Sequence, residues 1–168
     1  MSMAAGLKYE LEDLLRVRLL REDAAARQMA RRKAVLAELY NELETRKREL
    51  AEFQRWRQRR EAELYAAIME QEIHPRELDK LHHRLQKLRA DENSHQAKVT
   101  ETTERIQKEE QALEVDRQEY FKAYRNRDKL DQHKSLWIRD ARKAQELAEE
   151  KESEDFKNRL GSLAATGV

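Results

Sequence analysis

Apolar residues in this chain recur at a spacing that a helix, and not a strand, brings to one side. Leu11, Leu14 and Leu15 open the pattern at three-and-four spacing. A seven-residue period then runs through Leu15, Glu22, Met29, Leu36, Leu43, Leu50, Arg57 and Leu64. Half-period positions include Leu11, Ala25, Leu39 and Phe53. Heptad spacing sustained this long calls for a partner helix along its whole length. The sequence predicts a first helix over residues 7–71, preceded by a flexible N-terminus at 1–6.

The only proline, Pro75, interrupts the period. The ring pushes His74 away from helical geometry, while proline itself suits the first turn of a new helix. Glu77 follows, where a carboxylate meets the positive end of the helix dipole. Residues 72–75 therefore read as a turn. A second heptad run follows: Leu78, Leu85, Glu92, Val99, Ile106, Leu113 and Tyr120, with Leu81, Leu88, His95, Thr102, Ala123, Leu130 and Trp137 between. The second helix is predicted over 76–160, with Gly161 as its stop and a flexible tail at 161–168. At about 1.5 Å per residue, the two helices would be roughly 100 and 125 Å long.

A short turn between two long amphipathic helices folds them back side by side. The expected fold is all-α, a long antiparallel two-helix coiled-coil hairpin forming one structural unit. With the turn centred near 74–75, residues whose numbers add to about 149 lie at similar heights. Leu64 then falls near Leu85, Leu50 near Val99, Leu43 near Ile106, Leu36 near Leu113 and Met29 near Tyr120. The charged interruptions also meet in opposite pairs, Arg57 near Glu92 and Glu22 near Arg127. A charged seam residue costs stability but helps fix register when its counterpart matches. Beyond about residue 142 the second helix runs out of partner. Glu146, Glu149, Glu150, Glu152, Glu154 and Asp155 make that stretch, about 143–160, an unpaired acidic overhang.

Composition narrows the picture. Charged residues are 41% of the 168, with 3 Gly and 1 Pro, and the mean hydropathy is −1.09. That is too little apolar surface for a thick core, yet the residues are strong helix formers and keep a period, which argues against disorder. With 35 basic and 34 acidic side chains, the charge balance disfavours a dedicated nucleic-acid binder. There is no cysteine, so disulfides and thiolate metal sites are excluded and a reducing compartment fits. No apolar run approaches the roughly 20 residues of a membrane span, and the N-terminus is not a signal peptide. A cytosolic protein without direct membrane insertion is expected.

Little here points to chemistry. His83 follows Asp79 at one-face ligand spacing, but adjacent His82 and His83 point about 100° apart and no third ligand cluster appears. Carboxylates have basic neighbours at helical spacing, and nothing creates the burial that tunes a catalytic group. Neither a phosphate-binding glycine loop nor a nucleophile motif is present. The expectation is no enzyme, no cofactor and no metal. The segment Arg55-Trp56-Arg57-Gln58-Arg59-Arg60 could stack single-stranded nucleic acid, but a solvated face carrying one amphipathic Trp is the better account. A protein-binding hot spot is a further reading, and Phe53, Trp56 and Tyr65 either pack in the seam or meet a partner. Near the paired termini, Leu7, Leu11, Leu14, Leu15 and Leu19, with Leu130, Leu136, Trp137 and Ile138, exceed the two apolar positions in seven that a pair of helices needs. That surplus serves extra packing or insertion into another protein, and Arg16, Arg18 and Arg21 form a basic fringe beside it.

The pattern Leu11-x-x-Leu14-Leu15-x-Val17-Arg18-x-x-Arg21-Glu22-Asp23-x-Ala25 resembles the start of the flagellar FliJ and injectisome YscO/HrpO (SctO) stalk proteins. The segment Phe53-x-x-Trp56-Arg57, leading into Glu61, Leu64 and Tyr65 before a short turn, is similar to the YscO branch. The resemblance extends over the whole chain in length and layout. It implies an antiparallel two-helix coiled coil like the central stalk of rotary ATPases, in a bacterial type III secretion system. It implies a cytoplasmic location, peripheral to the inner-membrane export apparatus. The partners implied are the export ATPase hexamer, the cytoplasmic domain of the export gate, and secretion chaperones that the protein would escort. On this sequence, Leu11, Leu14, Leu15, Arg18, Arg21 and Trp137 fall at the ATPase end, and Phe53, Trp56, Arg57 and Tyr65 on the gate and chaperone side. The acidic stretch 146–155 matches no family motif. A monomer when free is expected on this reading; the alternative is a generic coiled-coil scaffold or tether that self-associates through the same seam.

Overall fold

The computed structural model describes residues 8–69 and 74–165, with side chains as far as residue 160. It contains two helices, α1 (Glu12–Met69) and α2 (Pro75–Ala165), and no strand among the described residues. The fold is the all-α antiparallel coiled-coil hairpin, in which residues early in α1 meet residues late in α2.

The helix ends follow local chemistry more than apolar periodicity. α1 starts at Glu12 and not near Leu7, which lies outside the described residues. The Tyr9 carbonyl accepts a hydrogen bond from the Glu12 N–H at 3.1 Å, and Glu12 and Asp13 occupy the first turn, where negative charge is favoured. Tyr9 itself is only 4% exposed, so packing of its ring outweighs extension of the helix through residues 8–11. At the start of α2 Pro75 takes the first helical position, its missing N–H costing nothing there. His74 caps it: its carbonyl accepts from Glu77 at 2.8 Å and Leu78 at 3.4 Å, and its ring Nδ1 accepts from the Arg76 N–H at 3.4 Å. Of the expected turn at 72–75, residues 72 and 73 lie outside the described part, as do the expected flexible segment at 1–6 and residues 166–168.

At its far end α2 continues through Gly161 to Ala165, past the expected stop. One glycine costs a helix only about 1 kcal/mol relative to alanine, and the following Ser-Leu-Ala-Ala contains good helix formers. Residues 142–160 are all exposed.

Where one unit was expected, contacts divide the chain into two. One comprises Met1–Arg27 with Gln118–Val168, the other Gln28–Arg117. In a two-helix seam a residue touches only residues of similar height, so contacts group along the seam. The second unit holds the buried cluster of Leu36, Leu39, Leu43 and Ile106, with Val99 and Leu113 packed against it. The cluster and its neighbours thus include Leu36, Leu43, Ile106 and Leu113, all expected on the seam registers. Thr102, also buried, donates its hydroxyl to the Lys98 carbonyl at 2.9 Å, which lets a polar residue occupy the seam.

Candidate functional site

The terminal unit is tied together by an aromatic and ionic latch. The Tyr9 hydroxyl lies 2.6 Å from His133 Nδ1, and the Tyr9 ring lies 5.5 Å from that of Trp137. Lys134 pairs with Glu12 at 2.6 Å. Trp137 is therefore half-buried against its own chain, and Leu15 is buried. Of the other residues expected at the ATPase end, Leu11 and Leu14 stay about two-fifths exposed, at 39% and 40%. Val17, Leu19, Leu20 and Leu136 are exposed with them. The surplus of apolar residues is thus divided, part absorbed by the latch and the seam, part left facing solvent.

Arg18 and Arg21 line a hollow of about 340 Å³ in this unit, together with Ala25, Glu119, Lys122, Ala123 and Asn126. Arg18 is half-buried, its Nε shielded from solvent without a hydrogen-bond partner, while Arg21 is exposed. Nearby, Arg127 grips Glu22 with two hydrogen bonds, Nε at 2.7 Å and Nη2 at 3.2 Å. Those hydrogen bonds, and then the guanidinium charge, hold the Glu22 carboxyl below its usual range against the opposing effect of burial. The Arg127 guanidinium is correspondingly held above its ordinary value, chiefly by its hydrogen bond to Glu22.

In the second unit, Phe53 is half-buried between Trp56, with ring centroids 5.3 Å apart, and His95, at 4.9 Å. Trp56 and Tyr65 keep 45% and 49% of their surface exposed. Arg57 is engaged within the chain, its Nε 2.7 Å from Glu92 and its Nη1 donating to Glu61 at 2.8 Å. Gln54 donates to the other oxygen of Glu92 at 2.9 Å. Trp56, Leu64 and Leu88 form the apolar part of a groove of about 410 Å³, edged by Arg60, Arg84, Lys87 and Asp91. The four residues expected on the gate side thus comprise two exposed aromatics, one half-buried aromatic, and an arginine occupied by carboxylates of its own chain.

Reading the sequence for leucines missed one set of seam residues. Arg18, Arg32, Arg46 and Arg60 recur every two heptads on the half-period register shared by Leu11, Ala25, Leu39 and Phe53. Arg32 bonds Asp116 at 2.5 Å and Glu109 at 2.7 Å, and those bonds hold its guanidinium above the ordinary value. Counting down the half-period register without skipping charged positions would have found this series. The Tyr40 hydroxyl donates to Glu110, and this hydrogen bond raises the phenol above its usual value. Tyr9 and His133 lie off both apolar registers, and no sequence signal points to their contact.

Asp79, His82 and His83 are all exposed, and among the described residues no group of three His, Cys, Asp or Glu side chains is arranged to hold a metal ion. No described helix is long and apolar enough to cross a membrane.

The arrangement suits binding: exposed apolar and basic surfaces on a two-helix scaffold. Among known structures, the chain is similar to the type III secretion protein YscO of Vibrio parahaemolyticus, with 27% identity and a TM-score of 0.79 over 87% of this chain and 92% of that one. A protein of Chlamydia trachomatis described as a YscO homolog shares the fold at 19% identity, with a TM-score of 0.78 over 96% of this chain and 99% of that one. No curated protein sequence matches significantly. The family model for type III secretion protein YscO matches residues 11–159, nearly the whole described chain, so this protein belongs to the YscO family of type III secretion proteins.

Proposed function

We propose that the protein is the stalk and linker of its secretion system, lying in the cytoplasm against the inner-membrane export apparatus. Its terminal unit enters the export ATPase hexamer, and its second unit reaches the cytoplasmic domain of the export gate and escorts secretion chaperones. The chain itself catalyses nothing in this reading; hydrolysis belongs to the ATPase. The observation that carries the reading is the terminal surface, where Leu11, Leu14, Val17, Leu19 and Leu20 stay exposed next to Arg18 and Arg21 although the seam beneath already has Leu15. A two-helix hairpin gains nothing by leaving that much apolar surface in water unless a partner covers it. Exposed Trp56, in a groove edged by three basic side chains and Asp91, and exposed Tyr65 support a separate contact for the second unit.

The test is a pull-down with the system's own export ATPase, paired with its hydrolysis rate. Wild type is expected to bind and stimulate the ATPase. Leu14→Asp should abolish both, whereas Trp56→Ala should keep both and reduce secretion. A stable dimer with no ATPase binding would favour the self-associating scaffold and overturn the proposal.

A further inference from the structure

Among the described residues, seam arginines are matched with carboxylates, with one exception. Arg32 has Asp116 and Glu109, Arg46 has Glu42 and Glu49, Arg57 has Glu92 and Glu61, and Arg127 has Glu22. Arg60, nearer solvent, has Glu63. Arg18 has none among the described residues, although its Nε is shielded from water.

Two substitutions in the pattern leave it so. In the register that brings Asp116 and Glu109 to Arg32, the residues two heptads along that correspond for Arg18 are Leu130 and Ala123. Neither carries an acceptor. On the same helix the candidate is Glu22, four residues on and at a spacing that often pairs with arginine. Arg127 takes both oxygens of Glu22 in a forked contact, the stronger geometry for a guanidinium and a carboxylate. Arg21 is likewise without an ion pair among the described residues. Lys122 has only a 3.9 Å approach to Glu119, and both of these line the same hollow.

The hollow arises from volume. Ala25 and Ala123 both line it, on registers that elsewhere carry bulkier residues, among them Leu39 and Phe53 for Ala25 and Leu130 and Trp137 for Ala123. Two methyl groups cannot fill the groove between helices, and about 340 Å³ stays open, room for roughly ten waters. Leu14, Val17 and Arg21 follow one another at three-and-four spacing, so an exposed apolar strip leads along one face of the helix to the basic rim.

We propose that the hollow beside Ala25 and Ala123 receives a glutamate or aspartate side chain of a partner protein, bound by Arg18 and Arg21, while apolar residues of the same partner segment cover Leu14 and Val17. An acidic partner is favoured by charge, since Arg18, Arg21 and Lys122 face only Glu119 across the hollow. Identification of that partner as the export ATPase rests on the proposed function; the site itself does not.

Two measurements on the full chain separate these claims. In the first, affinity for the export ATPase is compared for wild type, Arg18→Gln and Ala25→Leu, with thermal melting of each free protein. Both variants are expected to bind about tenfold or more weakly. Ala25→Leu should melt at or above the wild-type temperature, because it fills space, and this separates lost docking from lost folding. In the second, the full chain is titrated with a synthetic Leu-rich helical peptide carrying one central Glu, and with its Gln counterpart, while the Arg18 Nε–H and the Ala25 and Ala123 methyl resonances are followed by NMR. The Glu peptide should shift all three and the Gln peptide none. Equal shifts from both peptides, or none from either, overturn the site. Wild type that fails to bind the ATPase while the Glu peptide still shifts these resonances overturns the partner's identity and leaves the carboxylate site standing.

Discussion

Arg32 and Arg18 stand on the same register of α1, two heptads apart, and their surroundings teach opposite lessons. Arg32, in the second unit, faces two carboxylates and sits next to the cluster of Leu36, Leu39, Leu43 and Ile106. Its charge is balanced within the chain and its neighbours are packed. Arg18, in the terminal unit, faces a hollow beside Ala25 and Ala123, and the apolar residues near it remain in water. The same residue type on the same register is matched by carboxylates in one unit and has none among the described residues in the other. A charged seam residue carries no fixed meaning; the acceptors across from it decide.

The largest difference between the two units lies in packing. Leu39→Ala should destabilise the protein by about 2–3 kcal/mol in urea unfolding, since it removes a buried side chain from an apolar cluster of the second unit. Leu14→Ala, at a side chain already 40% exposed, should cost less than about 1 kcal/mol. Equal losses would mean that the exposed leucines are structural after all.

Next in size is the arginine pair itself. Arg32→Ala leaves Glu109 and Asp116 half-buried without their cation and should lower the melting temperature by several degrees. Arg18→Ala removes a donor that has nothing to lose and should leave it almost unchanged. A similar fall in both would erase the distinction on which the carboxylate site depends.

The Arg57–Glu92 pair is the next smaller contribution. Arg57→Glu alone sets a new carboxylate against Glu92 and Glu61, whereas Arg57→Glu with Glu92→Arg restores one opposite pair. The double variant should recover about 1 kcal/mol relative to the sum of the single changes. Full additivity would show that the pair adds nothing to register.

The smallest effect lies in the acid limb. Arg127 holds the folded-state value of Glu22 below that of the unfolded chain. The stabilisation is therefore complete above the unfolded carboxylate value, about pH 4.3, and is lost as pH falls through the lower folded value. Glu22→Gln should flatten the fall in stability below about pH 4.5 and, between pH 6 and 8, lower stability by a constant amount without changing its pH dependence. An unchanged acid limb would mean that this carboxylate does not contribute to the acid sensitivity of folding.

Much of the hairpin could be read from particular residues. Pro75 marked the start of the second helix, and the near-mirror numbering about 74–75 foretold Arg57 with Glu92 and Glu22 with Arg127, both of which form at 2.7 Å. Heptads announce themselves because a seam needs one residue type at every turn. The helix ends were less legible. Tyr9 is held by His133 and Trp137, residues far away in sequence, and Gly161 is too weak a breaker to stop a helix unaided. The expected docking residues were legible as types but not as states: Leu15 and Arg57 are used within the chain, while Leu14, Trp56 and Tyr65 remain available to a partner.

By itself the sequence determined two long helices, their antiparallel pairing and the heights at which opposite charges meet, because these follow from local helix preference and a period that one turn reflects onto itself. Tertiary structure alone decided which acceptor each arginine obtained. Glu22 lies within reach of both Arg18, on its own helix, and Arg127, on the other, and its two oxygens went to Arg127. That choice, with two alanines where larger side chains would close the gap, left one seam arginine unmatched and a hollow beside it. Competition among neighbours for a limited set of acceptors is settled by distance and angle in three dimensions, which no linear spacing encodes.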